Sequence, residues 1–178
     1  MQEIETPRLW LRGWRPEDRE PFARLNADPL VMRYFTSTLS RRESDAGVDR
    51  VEAHFQLHGF GLYAAELRET GEFIGFIGLN VPSFKAHFSP CVEIGWRLAA
   101  DYWNRGLATE GAGAVLRYAF ETVGLGEVVS FTVPANLPSR RVMEKIGMIR
   151  DAAGDFDHPE IAEGHPLRRH VLYRRHAG

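Results

Sequence analysis

Three consecutive features constrain this chain most: the run Cys91-Val92-Glu93-Ile94-Gly95-Trp96-Arg97-Leu98, the turn Asn104-Arg105-Gly106-Leu107-Ala108-Thr109, and Ala112, Val115, Leu116, Ala119 and Phe120 after it. β-Formers, then a glycine turn, then apolar residues at helical spacing predict a strand, a tight connection and an amphipathic helix. A second apolar run, Val128 to Val133, follows Gly124 and predicts the return of a crossover into the same sheet. Small residues at 106 and 108 let backbone N–H groups approach an anion, and the free N–H groups and dipole of the following helix favour negative charge there. Arg105 can add a charge-assisted contact. A turn built for packing alone would use the same glycine, so the turn by itself leaves both readings open.

The flanking segments fill in the architecture. Leu9-Trp10-Leu11 reads as a short strand ending at Gly13, and Pro16-Glu17-Asp18 opens a helix carrying Phe22 and Leu25 that stops near Asp28-Pro29. Val31 to Thr38 has no clean period and reads as loop or short helix. Val48, Val51 and Phe55 predict a second helix, ended by Gly59 to Gly61. Leu62 to Leu67 and Phe73 to Leu79 flank a Gly71 turn and predict an antiparallel hairpin. A short helix is expected around Ser139 to Lys145, a polar loop from Ala153 to Pro166, and a last strand at His170 to Tyr173. Hairpins in the middle and a crossover later imply a mixed sheet covered by helices.

Composition excludes several classes. At 178 residues and 44% apolar content, one domain over residues 1–178 is expected, with no linker or repeat to divide it. A net charge of −2 gives no overall footprint for nucleic acid. No apolar run is long enough for a membrane span, and the acidic start lacks a signal core, so the expected location is cytoplasmic. Cys91 is the only cysteine, which rules out an internal disulfide and a thiolate zinc cluster; it reads as a small buried hydrophobe. His158, His165 and His170 match no metal-ligand spacing, and no metal is expected.

Three ordered segments carry a resemblance: Val92 to Leu98, Tyr102 to Glu110, and Asn136-Leu137-Pro138-Ser139-Arg140-Arg141-Val142-Met143-Glu144-Lys145-Ile146-Gly147-Met148. Together they resemble the GNAT superfamily of N-acetyltransferases. Thr6 to Arg12 and Asp28 to Tyr34 look like its RimJ/RimL-like branch, the ribosomal-protein N-acetyltransferase type. The resemblance implies an α/β (α+β) fold: a mixed, mostly antiparallel sheet of about seven strands flanked by about four helices, with a splayed strand pair holding the cofactor. It implies acetyl-CoA as acetyl donor, with its pyrophosphate on Asn104, Arg105, Gly106, Leu107, Ala108 and Thr109. The family's loop often begins with Gln or Arg, whereas this chain has Trp103. The pantetheine arm would lie between the strand ending at Leu98 and Val128 to Val133, bonded to backbone of Trp96, Arg97 and Leu98, with Asn136 against pantetheine and Ser139 near the thioester. Asn136 is also a good helix cap, and a serine in a first helical turn is ordinary.

Acetyl transfer to an amine needs a neutral nitrogen, a stabilised oxyanion and a proton for the departing thiolate. Glu93, in an otherwise apolar strand, is the candidate base, since burial would raise its pKa; the alternative is a residue pointing to solvent or to a neighbouring arginine. Ser139 is the candidate thiolate protonator, where many family members place a tyrosine. Tyr34 and Phe35 are candidates for an acceptor wall, or core aromatics. Asp155 or Asp157 could attract an amine, or sit in a solvated loop. The expected partners are acetyl-CoA and an amine acceptor, either a protein N-terminal α-amine or a small molecule, with neither nucleic acid nor membrane involved. A non-catalytic acetyl-CoA-binding sensor or assembly module is the alternative, and monomer and homodimer both remain open.

Overall fold

In a computed structural model, residues 2–178 are described, and eight strands form one sheet. In chain order they are β1 (Ile4–Glu5), β2 (Leu9–Arg12), β3 (Leu62–Leu67), β4 (Phe73–Asn80), β5 (Glu93–Leu98), β6 (Glu127–Thr132), β7 (Ile149–Asp157) and β8 (Arg169–His176). The helices are α1 (Arg19–Ala27), α2 (Arg41–His58), α3 (Leu107–Glu121) and α4 (Leu137–Lys145). Spatial order is β1-β2-β3-β4-β5-β6-β8-β7, and every neighbouring pair is antiparallel except β5 with β6. The expected mixed, mostly antiparallel sheet with four helices is therefore found, with one strand more than read from the sequence. The two-residue β1 is too short to carry a period.

One face of the sheet holds the main core. Ala112, Val115, Leu116 and Ala119 of α3 and Met143 of α4 pack on Leu9, Leu11, Ile74, Ile77, Leu79, Ile94 and Val128. Leu9 and Leu11, and Ile77 and Leu79, alternate along their strands, which gives each strand one apolar face, and Ile74 joins them through a register shift between β3 and β4. On the opposite face, Phe22 and Leu25 of α1 and Val48 of α2 pack with Phe73 and Phe76. Ser40 and Glu43 form a reciprocal cap at the start of α2, and Gly59 ends the helix at φ 77°.

Two expectations need correction. The segment from Ala153 is not loop throughout: β7 runs to Asp157 and pairs with β8, with an irregularity between Asp151 and Phe156. As an edge strand rich in aspartate and glycine it shows no apolar alternation, so its partner and not its own sequence defines it. The strand expected from Cys91 begins at Glu93. Among the described residues, no helix is long and apolar enough to cross a membrane.

Candidate functional site

The sheet is incomplete between β5 and β6. Their pairing is confined to Glu93 opposite Val129, with the Val129 N–H donating to the Val92 carbonyl at 2.9 Å. One residue further, the Ser130 hydroxyl bridges the widening seam by donating to the Ile94 carbonyl at 2.9 Å. Which β5 groups face the gap follows from the ladder on its other side. The Ala99 N–H donates to the Ile74 carbonyl, and Arg97 lies opposite Phe76 two residues back, so Ala99, Arg97, Gly95 and Glu93 direct their backbone groups to β4. Trp96 and Leu98 direct theirs into the seam. The Leu98 carbonyl is taken by the Trp103 indole N–H at 2.8 Å, which leaves the Trp96 N–H and carbonyl and the Leu98 N–H lining the opening. Arg97 departs from the sequence expectation here: strand parity commits its backbone to β4 and turns its side chain to the α1/α2 face.

At the end of the seam lies the start of α3. Asn104 and Gly106 both adopt left-handed conformations, at φ 58° and 78°, and no side chain caps the helix. The Glu110 N–H is the first to close an intrahelical bond, to Gly106; the N–H groups of Leu107, Ala108 and Thr109 precede it and have no carbonyl one turn back. Left-handed backbone followed by uncapped N–H groups makes an electropositive concavity. Arg105 projects over Tyr102, 5.6 Å from the ring centre.

Sequence reasoning missed Arg8. Its guanidinium donates to the Arg105 carbonyl at 2.8 Å and to Glu110 at 2.7 Å, and the Thr6 hydroxyl donates to the same carboxylate at 2.7 Å. Burial alone would raise the Glu110 pKa, but these bonds hold it below the usual carboxylate value. Arg8 thus braces the turn from about a hundred residues away, and nothing local in the sequence signals it.

The face opposite α3 carries the titratable groups. Glu93, Gly95 and Arg97 alternate there, opposite Asn80, Gly78 and Phe76 of β4. Glu93 is half-buried, and desolvation pushes its pKa up to about 7 despite a hydrogen bond from Asn80. Beyond Glu93, Phe84, Phe88, Phe131, Phe156, His158 and His170 form an aromatic cluster, with His158 and His170 centred 5.2 Å apart. Burial lowers the pKa of both histidines. Among the described residues, no group of three metal-ligating side chains is gathered.

Asn136 serves as the N-cap of α4: its Oδ1 accepts from the Ser139 N–H at 3.3 Å, while its amide donates to Thr132 at 3.0 Å. Ser139 sits in the first turn beside it, close to the open end of β6. Tyr34 reaches across from the α1–α2 connection and donates to the Ala135 carbonyl at 3.1 Å, and Phe35 lies under the Arg97 guanidinium at 4.2 Å. Asp155 is spent internally, pairing with Arg150 and accepting from the Leu172 N–H at 3.3 Å. The seam, the α3 turn and the α4 cap therefore adjoin one another, Tyr34 and Phe35 border them, and Asp155 braces β7.

Comparison with known proteins agrees with this geometry. Residues 8–149 match the family model described as an acetyltransferase (GNAT) domain. The chain is 34% identical to YkkB of Bacillus subtilis over 147 residues, covering 82% of this chain and 84% of that one. It is 30% identical to the N-acetyltransferase YnaD of the same organism, covering 83% of each. Among solved structures, a GNAT-family acetyltransferase from Bacillus anthracis superposes with a TM-score of 0.82 at 27% identity over 99% of both chains.

Proposed function

This chain belongs to the GNAT acetyltransferase family and is a transferase, and on that premise we propose that it moves acetyl from acetyl-CoA to a primary amine as a single domain of the RimJ/RimL-like type. The acceptor in this reading is a protein N-terminal α-amine or a small-molecule amine, and the enzyme works in the cytoplasm. The observation that supports the reading most is the open seam beside an uncapped helix N-terminus: unmated strand backbone and free N–H groups toward the Leu98 end of β5, with the raised-pKa carboxyl of Glu93 at its other end.

The residues fit acetyl-CoA in kind. Asn104, Arg105 and the N–H groups of Gly106, Leu107, Ala108 and Thr109 would hold the pyrophosphate, Trp96 and Leu98 would take the place of the missing ladder with pantetheine amides, and Asn136 would flank the arm. When bound, acetyl-CoA supplies an activated acetyl thioester. Glu93 accepts the proton of the incoming ammonium, directly or through water; a carboxylate with a pKa near 7 is half ionised at neutral pH and a stronger base than an ordinary glutamate. Ser139, beside the α4 cap, would supply a proton to the departing sulfur. Tyr34 and Phe35 wall the acceptor side. Asp155 has no part in this reading, because its carboxylate is already bonded.

The test is acetyl-CoA-dependent release of free thiol across a panel of peptides and small amines, with mass spectrometry locating the acetyl group. Acetylated amine in step with thiol supports the proposal. Tight acetyl-CoA binding with no acceptor-dependent thiol release over the panel overturns it.

A further inference from the structure

Arg12 is buried and Arg97 half-buried, and their guanidinium groups are treated differently. Arg12 is met by the Asp18 carboxylate on both terminal nitrogens, at 2.7 and 2.9 Å, and by Glu66 on Nε at 2.6 Å. That is a closed structural network, with the charge neutralised where it is buried. Arg97 has no such partner. Its single hydrogen bond donates to the neutral Asn26 Oδ1 at 2.6 Å, its Nε is buried and unpartnered, and among the described residues no carboxylate oxygen lies within 4.0 Å of it. Phe35 and Phe76 hold the guanidinium at 4.2 and 5.4 Å from their ring centres. Burial alone lowers its pKa to about 10, leaving it charged at neutral pH.

The surroundings are ordered to keep that charge in place. Asn26 is fully buried and its amide is tied to the Ser44 hydroxyl at 2.9 Å, so its oxygen is fixed toward Arg97. Gly95, two residues toward Glu93 on the same face, has open space where a side chain would stand. The open position at Gly95 therefore lies between the unpaired guanidinium and Glu93. The two Cα atoms are four residues apart on one strand, about 13 Å, and both side chains are long enough to shorten the gap. Phe35 is 46% exposed, so one wall of the guanidinium site opens to solvent.

We propose that Arg97 is the binding site for a carboxylate carried by the amine acceptor, held several bonds from the nitrogen that reaches Glu93. The acceptor class is thereby narrowed to acidic amines: a peptide with an acidic side chain within its first residues, or a straight-chain amino acid. Guanidinium and carboxylate match in charge and in bidentate geometry, and enclosure between aromatic rings strengthens the pair by excluding water. The Phe35 ring offers apolar contact to the methylene spacer. This proposal rests on reading the Glu93 face as the acceptor side.

The experiment compares acceptors that differ only in the anionic group: peptides with glutamate or glutamine at the second position, and ω-amino acids or their carboxamides. The expected kcat/KM ratio of carboxylate over carboxamide is about tenfold or more in the parent enzyme for at least one series, and near one in Arg97→Met. Arg97→Lys, which keeps the charge without the fork, should fall between them. The two acceptor series identify whether the carboxylate belongs to a peptide or a small molecule. A parent enzyme that acetylates both members of each pair equally overturns the proposal without any variant, while the acetyltransferase reading stands. Calorimetric titration of the unacetylated ω-amino acids supplies a readout that needs no turnover. Binding that depends on the carboxylate and on Arg97, with no acetylation, would sink the acceptor reading but leave the carboxylate site. Absence of carboxylate-dependent binding overturns the proposal as well.

Discussion

Replacing Glu93 with glutamine should change how folding stability depends on pH, by an amount the site itself sets. In the folded protein, burial raises the Glu93 pKa from the ordinary 4.5 to about 7. Between those values the folded state holds a proton that the unfolded state has released, so stability falls as pH rises through the window. Each unit is worth about 1.4 kcal/mol, which places the full penalty near 3 kcal/mol, and water at the partly exposed residue should trim it to about 2 kcal/mol. Glutamine is neutral throughout and nearly isosteric with the protonated acid. Urea unfolding of both proteins at about pH 5 and about pH 8.5 measures the quantity directly. Glu93→Gln should gain on the parent by about 2 kcal/mol between the two conditions. Taking the difference removes titrations common to both proteins, including His54, His158 and His170, whose pKa values burial lowers. If the stability difference is the same at both pH values, the raised pKa is wrong, and with it the argument for Glu93 as a base at neutrality.

Other consequences can be tested on the same protein. Gly106→Asp places a side chain at φ 78° and a negative charge beside the uncapped start of α3; acetyl-CoA affinity by calorimetry should fall at least about tenfold, and unchanged affinity in a folded variant would remove the phosphate assignment. Arg12→Met leaves Asp18 buried without its ion-pair partner and Glu66 with Arg15 alone at 3.2 Å, and denaturant unfolding should register a loss of about 3 to 5 kcal/mol. A loss under about 1 kcal/mol would mean that water reaches the two carboxylates.

The legible parts of this protein were those specified over short distances. The α3 turn announced itself because Gly106 and the apolar residues from Ala112 onward encode a turn and a helix locally, and β3 and β4 read as a hairpin from the β-formers around Gly71. Arg8 was silent because its partners Arg105 and Glu110 lie about a hundred residues away. In the Arg12 network Asp18 is six residues away, but Glu66 lies on β3, 54 residues on, and that part was equally invisible. Arg97 could have been found: it shares strand parity with Glu93, so once Glu93 was assigned to a face, the Arg97 side chain followed it and its backbone turned away from the seam. The outer end of β7 was lost because Gly154 and Asp155 hide the continuation of an edge strand that β8 alone stabilises.

The single bridge between Glu93 and Val129 has a mechanical consequence. The amino-terminal five strands and the carboxy-terminal three are each zipped internally, but across their boundary the backbone contributes little more than one bridge and the Ser130 hydroxyl. A ligand lying in that seam with its own amides would act as an interpolated strand, so the sheet becomes continuous only when cargo is aboard. Amide exchange at Trp96 and Leu98 should then slow on loading far more than exchange along β4, and the two halves should lose independent motion as the cleft fills.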